Sequence, residues 1–299
     1  MKFEFLLDDF VEYHMSLCHT EKTIRSYTEI LIKFNEVVEI EDYRTISLDD
    51  VKLYQRSLNV KNLSPATVGN YLRHIKAFIH WLEEYDYIEK NEIWKKIKLP
   101  KAPKKNVKIY TDEEIKLIFN SVATESQWLT YRNQLIIALM LDSGLRREEI
   151  CKIRFTDINF EKRILNVHGK GKKDRLVPIG NLTLSLLDKY MSACPFESEM
   201  LFIGRRGEKV TNNTIKQFFH KLKGKLGFEF SPHRLRHNFA TNYLIDYYEK
   251  YHYFDAYTLK IIMGHEDIKT MDMYLHYAQE YIATQQRLSH LDKALLEIT

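Results

Sequence analysis

The chain has 299 residues, 44% of them hydrophobic and 29% charged, enough length and apolar content for two domains with cores of their own. Its formal net charge is only +4, so a nucleic-acid partner cannot be argued from the total and rests on where the cations lie. No apolar run approaches transmembrane length, the start Met-Lys-Phe-Glu-Phe-Leu-Leu-Asp-Asp lacks a signal-peptide pattern, and Cys18, Cys151 and Cys194 are scattered and odd in number. These point away from a membrane and toward a cytoplasmic protein with reduced thiols.

Residues 1–94 read as helix throughout. Phe5, Leu6, Phe10 and Val11 start an amphipathic segment, and further segments begin near Thr20, at Ser47 with Asp50 in the capping-box position, and at Ser64-Pro65. The second and fourth segments share a pattern. Thr23-Ile24-x-x-Tyr27-x-x-x-Leu31-x-x-Phe34 matches Thr67-Val68-x-x-Tyr71-x-x-x-Ile75-x-x-Phe78. Two readings stand open: helices of one bundle using similar core residues, or helices presenting equivalent polar faces to DNA. In the second reading Lys22, Arg25, Thr67, Asn70, Arg73 and Lys76 are the contacts.

Between residues 95 and 109 the composition changes. Lys95, Lys96, Lys98, Lys101, Lys104, Lys105 and Lys108 occur without an acidic residue among them, and Pro100 and Pro103 oppose regular structure. The segment is expected to be an interdomain linker that follows a phosphate backbone through Lys101, Lys104 and Lys105. About twelve extended residues span roughly 40 Å, enough for two domains to embrace a duplex.

A second domain is expected over 110–277. Thr111-Asp112-Glu113-Glu114 is a capping box, and Leu135 to Leu141 a buried helix closed by Ser143-Gly144. That turn sends Arg146 forward, with Glu149 one turn later. Its carboxylate either orients Arg146 or the site histidines, or makes a surface salt bridge. Ile158 to Phe160, Ile164 to Val167 and Arg175 to Ile179 read as strands, and the turn Gly169-Lys170-Gly171-Lys172-Lys173-Asp174 sets a lysine between glycines. Thr211 to Leu226 is a helix whose Lys216 and Lys221 are candidate DNA contacts.

Ser231-Pro232 opens the next helix as N-cap and first residue, placing His233 and Arg236 on one face at a helix start that favours anions. His233 and His237 stand four apart, the spacing of a metal pair. No HExxH, paired cysteine or acidic cluster accompanies them, so no metal is assigned and His237 is expected to hydrogen-bond within the fold. Gly264-His265 follows a short helix, and Tyr274 lies nine residues beyond His265. Two imidazoles, a fixed guanidinium and a phenol make sense together around a phosphate. The last segment, 278–299, is amphipathic, with Ile282, Leu288, Leu291, Leu295 and Leu296 as anchors.

His233-x-x-Arg236, Gly264-His265 and Tyr274 resemble the C-terminal signature of the tyrosine recombinases, the phage integrase and Xer-type enzymes. Gly144-Leu145-Arg146-Arg147-Glu148-Glu149 resembles that family's first-arginine motif and Gly169 to Arg175 its hairpin lysine motif, all in the family's order. The resemblance implies a mainly α fold with a small antiparallel β-sheet: a helical core-binding (SAM-like) domain, the linker, a catalytic domain, and a C-terminal helix that docks on a neighbouring protomer. It implies that Tyr274 attacks a DNA phosphodiester, Arg146 and Arg236 hold the phosphate, and His265 hydrogen-bonds it. His233 is then the base or its relay, Lys170 the acid for the departing 5′-oxygen, and Glu149 a support. Exchange of one phosphoester for another needs neither ATP nor a metal, so no cofactor is expected.

The implied partners are double-stranded DNA, three further copies of the chain on paired sites (a monomer or weak dimer alone), and an accessory directionality factor. The implied role is recombination for a mobile element; the alternatives are Xer-like dimer resolution, a type IB topoisomerase-like enzyme, and a non-catalytic DNA-binding protein on this fold. The chain departs from the family at Tyr247 to Tyr257, a tyrosine-rich connector that is usually shorter, and at Arg147, where a second arginine follows Arg146.

Overall fold

The computed structural model describes residues 1–101, 109–169 and 173–285, and the chain divides into two compact units, Met1–Asn106 and Val107–Thr299. The first unit contains helices α1 (Phe3–Ser16), α2 (Glu21–Val38), α3 (Leu48–Val60), α4 (Pro65–Glu84) and α5 (Ile93–Lys96). Local chemistry starts each of the central three. Thr20 and Ser64 accept the Thr23 and Thr67 amides, Pro65 takes the first helical position, and Ser47 with Asp50 closes a capping box. The repeated pattern serves the core: Leu31, Phe34, Ile75 and Phe78 are all fully buried, around Phe10, Tyr54 and Trp81.

That core runs beyond residue 94. Ile93 and Ile97 are buried in it, Leu99 packs against it, and the buried Glu83 carboxylate accepts the Ile93 amide at 2.8 Å. Lys95, Lys96 and Lys98 therefore stand on the first unit, because isoleucines threaded through the basic run bury themselves. Lys101 is exposed, and Lys104 and Lys105 lie outside the described residues.

The second unit contains α6 (Asp112–Ser121), α7 (Gln127–Asp142), α8 (Arg147–Ile150), β1 (Ile158–Asn159), β2 (Ile164–His168) and β3 (Asp174–Pro178). Then follow α9 (Asn181–Ala193), α10 (Asn212–Lys225), α11 (Pro232–Tyr251), α12 (Ala256–Met263) and α13 (Asp272–Gln285). The sheet is antiparallel in the order β1-β2-β3, with Leu165 opposite Val177 and Val167 opposite Arg175. Helix α7 is apolar all round from Leu135 to Met140 and forms the centre of this core, packed by α9 and α11. Phe160, expected in the first strand, is exposed and lies in the turn after it.

The tyrosine-rich segment lengthens α11 rather than forming a loose connector. His252 ends the helix in the left-handed conformation (φ 61°), and Tyr247, Tyr251 and Tyr253 pack ring on ring there, with the Tyr247 and Tyr253 hydroxyls 2.7 Å apart. Helix α13 lies along α11 and runs unbroken through Tyr274 and Ala278. Ala278 is fully buried, so the core of the second unit continues past 277. Leu288, Leu291, Leu295 and Leu296 of the expected docking tail lie outside the described residues.

Candidate active site

Four segments converge at the C-terminal end of α12. The first is the turn after α7. Gly144 has φ +61°, and a Cβ there would sit 2.4 Å from the Phe239 ring, so both backbone and space require glycine. The chain then enters α8 with Arg146 as N-cap, and the Glu149 carboxylate accepts the Arg146 amide at 2.7 Å. The second is β3, whose alternation turns Leu176 outward and Arg175 and Val177 inward. The third is the first turn of α11, where the Ser231 side chain accepts the Arg234 amide and sets Arg236 facing inward. The fourth is α13, which carries Tyr274.

A helix ends with carbonyls that have no partner within it, carrying the negative end of its dipole. At α12 arginines take up three successive carbonyls. Arg175 Nε donates to Ile262 O at 2.7 Å, Arg236 Nη2 to Met263 O, and Arg146 Nη2 to Gly264 O at 3.2 Å. Arg236 Nη1 also donates to Gly144 O, which ties the two turns together. Gly264 takes φ +62° against the Arg175 side chain, and His265 follows directly.

Glu149 is the carboxylate of this cluster. It is buried (7% exposed), accepts Arg175 through both oxygens at 2.8 Å, and accepts Arg146 Nη1 at 3.0 Å. A surface salt bridge is thereby excluded; it orients Arg146. Burial alone would raise its carboxyl pKa, but the bonds and charge of Arg175, with Arg146, outweigh that and leave it below the ordinary value. Arg175 was not anticipated as a site residue. Its signal was available: a charged residue in phase with the inward Val177 of an alternating strand.

Arg236 is 6% exposed and donates to the main-chain carbonyls of Gly144 and Met263 rather than to a carboxylate. Burial and then the nearby Arg146 charge pull its pKa down to about 9, which still leaves it protonated at neutral pH. Tyr274 is 4% exposed, its ring 5.2 Å from that of His237 and 6.5 Å, edge-on, from that of His265. Burial raises its phenol pKa above 10, and Arg236 and Arg146 offset part of the rise. His265 is lowered to about 4 by burial and then by Arg236, Arg146 and Arg175. A charged ring is disfavoured beside those guanidiniums.

Arg146, Glu149, Arg236, His265 and Tyr274 are thus brought together within one chain. His233 sits at the exposed edge, close enough for its charge to lower the His237 pKa after burial has done so. Lys170 lies outside the described residues. The buried Nδ1 of His237 has no hydrogen-bond partner, so the bonding expected of this residue within the fold is not made through that nitrogen. Lys216 and Lys221 are exposed on α10. Among the described residues no group of three His, Cys, Asp or Glu side chains could hold a metal, and no helix is long and apolar enough to cross a membrane.

Three positive guanidiniums, two lowered imidazoles and a buried phenol around one carboxylate define an anion-handling site of nucleophilic type. The family model for the Phage integrase family matches residues 108–280. The chain is 30% identical to tyrosine recombinase XerA of Pyrococcus horikoshii, over 93% of this chain and 90% of that one. It is 27% identical to tyrosine recombinase XerC of Oceanobacillus iheyensis, over 96% of each. Its fold is similar to that of a lambda integrase dimer bound to a COC′ core site, with a TM-score of 0.74 at 16% identity, covering 97% of this chain and 98% of that one. The chain belongs to the phage integrase family. Its activity is that of a tyrosine-type site-specific DNA recombinase.

Proposed function

We propose that this chain cuts and rejoins duplex DNA through a covalent 3′-phosphotyrosyl bond to Tyr274 and exchanges strands through a four-way junction. The observation that carries the reading is Arg236: a buried guanidinium bonded to helix-end carbonyls, beside Arg146 and Tyr274, in a cluster with more cations than its one carboxylate can neutralise. A phosphodiester resists attack because an anion must accept further negative charge in the transition state. Two rigid forks, both charged at neutral pH and held in place beforehand, meet that charge as lysine could not. Tyr274 supplies the oxygen that bonds to phosphorus, and the P–O5′ bond breaks. A phenol with a raised pKa needs its proton removed, for which His233 is the base or its relay. Lys170 protonates the departing 5′-oxygen.

Double-stranded DNA is the partner. The polar faces of α2 and α4, through Lys22, Arg25, Thr67, Asn70, Arg73 and Lys76, together with Lys101, Lys104, Lys105, Lys216 and Lys221, are its contacts. The segments expected at 1–94, 95–109, 110–277 and 278–299, with the first core carried on to Leu99 and the second through Ala278, serve as core-binding domain, linker, catalytic domain and docking tail, in a cytoplasmic enzyme that acts as a tetramer on paired sites, with an accessory factor setting direction. Since Ala278 is buried, the tail is tested by truncation after Gln285. That variant should cleave a single site and fail to join paired ones; normal recombination without residues 286–299 would refute the docking role.

We assign the activity to a mobile element. The Xer names of the relatives favour dimer resolution as the second reading. Trapping on a nicked suicide duplex tests the chemistry: a covalent adduct mapped to Tyr274 is expected, and an adduct on Tyr277 or Tyr281 would move the nucleophile.

A further inference from the structure

The turn after His265 determines which of its nitrogens carries the proton. Thr270 Oγ1 lies 2.6 Å from Asp267 O and 2.7 Å from His265 Nδ1. A hydroxyl has one hydrogen and a carbonyl can only accept, so that hydrogen goes to Asp267 and Oγ1 has only lone pairs left for His265. Nδ1 is therefore the donor. A neutral imidazole has a single N–H, so Nε2 carries a bare lone pair. The Asp267 carbonyl is fixed in turn: it also accepts the Thr270 amide at 3.2 Å, while the Asp267 side chain caps the turn by accepting the Lys269 amide at 2.9 Å.

We propose that Thr270 is a positioning residue that holds His265 as its Nδ1–H tautomer, so that the ring can donate to a phosphate oxygen only by first taking up a proton. Engagement of the phosphate at this site is then coupled to the gain of one proton from solvent. The inference rests on the reading of the cluster as a phosphodiester site. A phosphate oxygen is itself an acceptor, and two lone pairs repel. The groups facing the ring are Arg236 and His237 of α11, Arg146 of the turn before α8, Arg175 of β3 and Tyr274 of α13. Glu149 is engaged by Arg146 and Arg175, and the adjacent Glu266 is paired with Lys173 at 2.5 Å. Without an anion this surrounding is positive and the ring stays neutral. A bound phosphodiester offsets the guanidiniums and makes the imidazolium favourable.

The test is 15N NMR of the full chain labelled at histidine, with His265→Gln to identify the signals and sulfate, which does not titrate near neutrality, as the anion against chloride at equal ionic strength. The free protein at pH 7 should show a protonated Nδ1 and a bare Nε2, and sulfate should convert His265 to the doubly protonated ring, one proton per site. Thr270→Ser keeps the hydroxyl and should behave alike. Thr270→Val should populate the Nε2–H tautomer and meet sulfate with a neutral donor and no proton uptake. A free protein with Nε2–H, or a Val variant that keeps the original tautomer, overturns the proposal. Should the Val variant not fold, the free wild-type spectrum decides the tautomer alone. Sulfate that perturbs His237 while His265 stays neutral overturns the coupling and leaves the anion site standing. Sulfate that moves neither ring overturns the anion site as well.

Discussion

The two units hold their cations in opposite ways. In the second, Arg175 and Arg236 are buried and bound to Glu149 or to the end of α12. In the first, Arg25 and Arg73 stand in solvent on α2 and α4, and Arg25 already pairs with Glu29 one turn on at 2.8 Å. A buried charge is weakly screened and must have partners, so its position is set by packing and its loss is felt singly. An exposed charge is screened by water and salt and pays side-chain entropy to hold any one geometry. The buried set is therefore suited to stabilising one transition state, and the exposed set to many weak, interchangeable phosphate contacts.

The sharpest break in that comparison is at Tyr274. Tyr274→Phe removes one oxygen and keeps the buried ring, so the fold and DNA affinity should stay near normal while covalent adduct disappears altogether. Gel analysis of a nicked suicide duplex checks this, and adduct formation by the variant would remove Tyr274 as nucleophile.

Glu149→Leu should cost about 3–5 kcal/mol of stability, since it leaves Arg175 buried without its counter-charge. Urea unfolding measures it. The same residue predicts an acid limb. A carboxyl whose folded pKa lies below its unfolded value of about 4.3 contributes fully above that value, and its contribution is lost as pH falls through the lower folded pKa. The Leu variant should lack that part of the fall. If its stability curve below pH 4.5 parallels the wild type, Glu149 is not the carboxylate that holds the cluster.

If Arg236 clamps the phosphate as proposed, Arg236→Ala deletes a cation aimed at charge that develops in the transition state. A loss of roughly 3–4 kcal/mol, about a hundred- to thousandfold in cleavage rate, is expected. Single-turnover kinetics on the suicide duplex should show slow adduct, still on Tyr274. A loss under tenfold would mean that the buried guanidinium is structural.

What could be read ahead of the structure follows the range of each interaction. Caps are local, and Thr20, Ser64-Pro65, Thr111 and Ser231-Pro232 start helices where the sequence places them. Gly144 takes the positive φ that its position after an apolar helix implied. The cluster's internal wiring was not readable, because the α12 carbonyls that organise Arg146, Arg175 and Arg236 lie 118, 87 and 27 residues away from them. Arg175 is legible as an inward position by its phase with Val177, but not which groups it meets there, and Glu149 cannot be told from a surface partner until its burial is known. The basic run misled for a different reason: its lysines and prolines outweigh Ile93 and Ile97, yet those two residues decide which unit the segment joins.

The smallest expected effect tests the exposed side of the comparison. Arg73 is exposed on α4, with no carboxylate paired to it among the described residues, whereas Arg25 on α2 is held by Glu29. If both helices present polar faces to DNA, Arg73→Ala should weaken binding uniformly across sequences and reduce the salt slope of log K by about 1, because one fewer counterion is released. Arg25→Ala should do less, because its guanidinium is already held by Glu29 in a solvent-screened pair that must open before it can meet a phosphate. Titrating one labelled duplex at several salt concentrations separates the cases. Slopes unchanged in both variants would return α2 and α4 to the other reading of their shared pattern, in which the repeat Leu31, Phe34, Ile75 and Phe78 builds a core and its polar face meets only water.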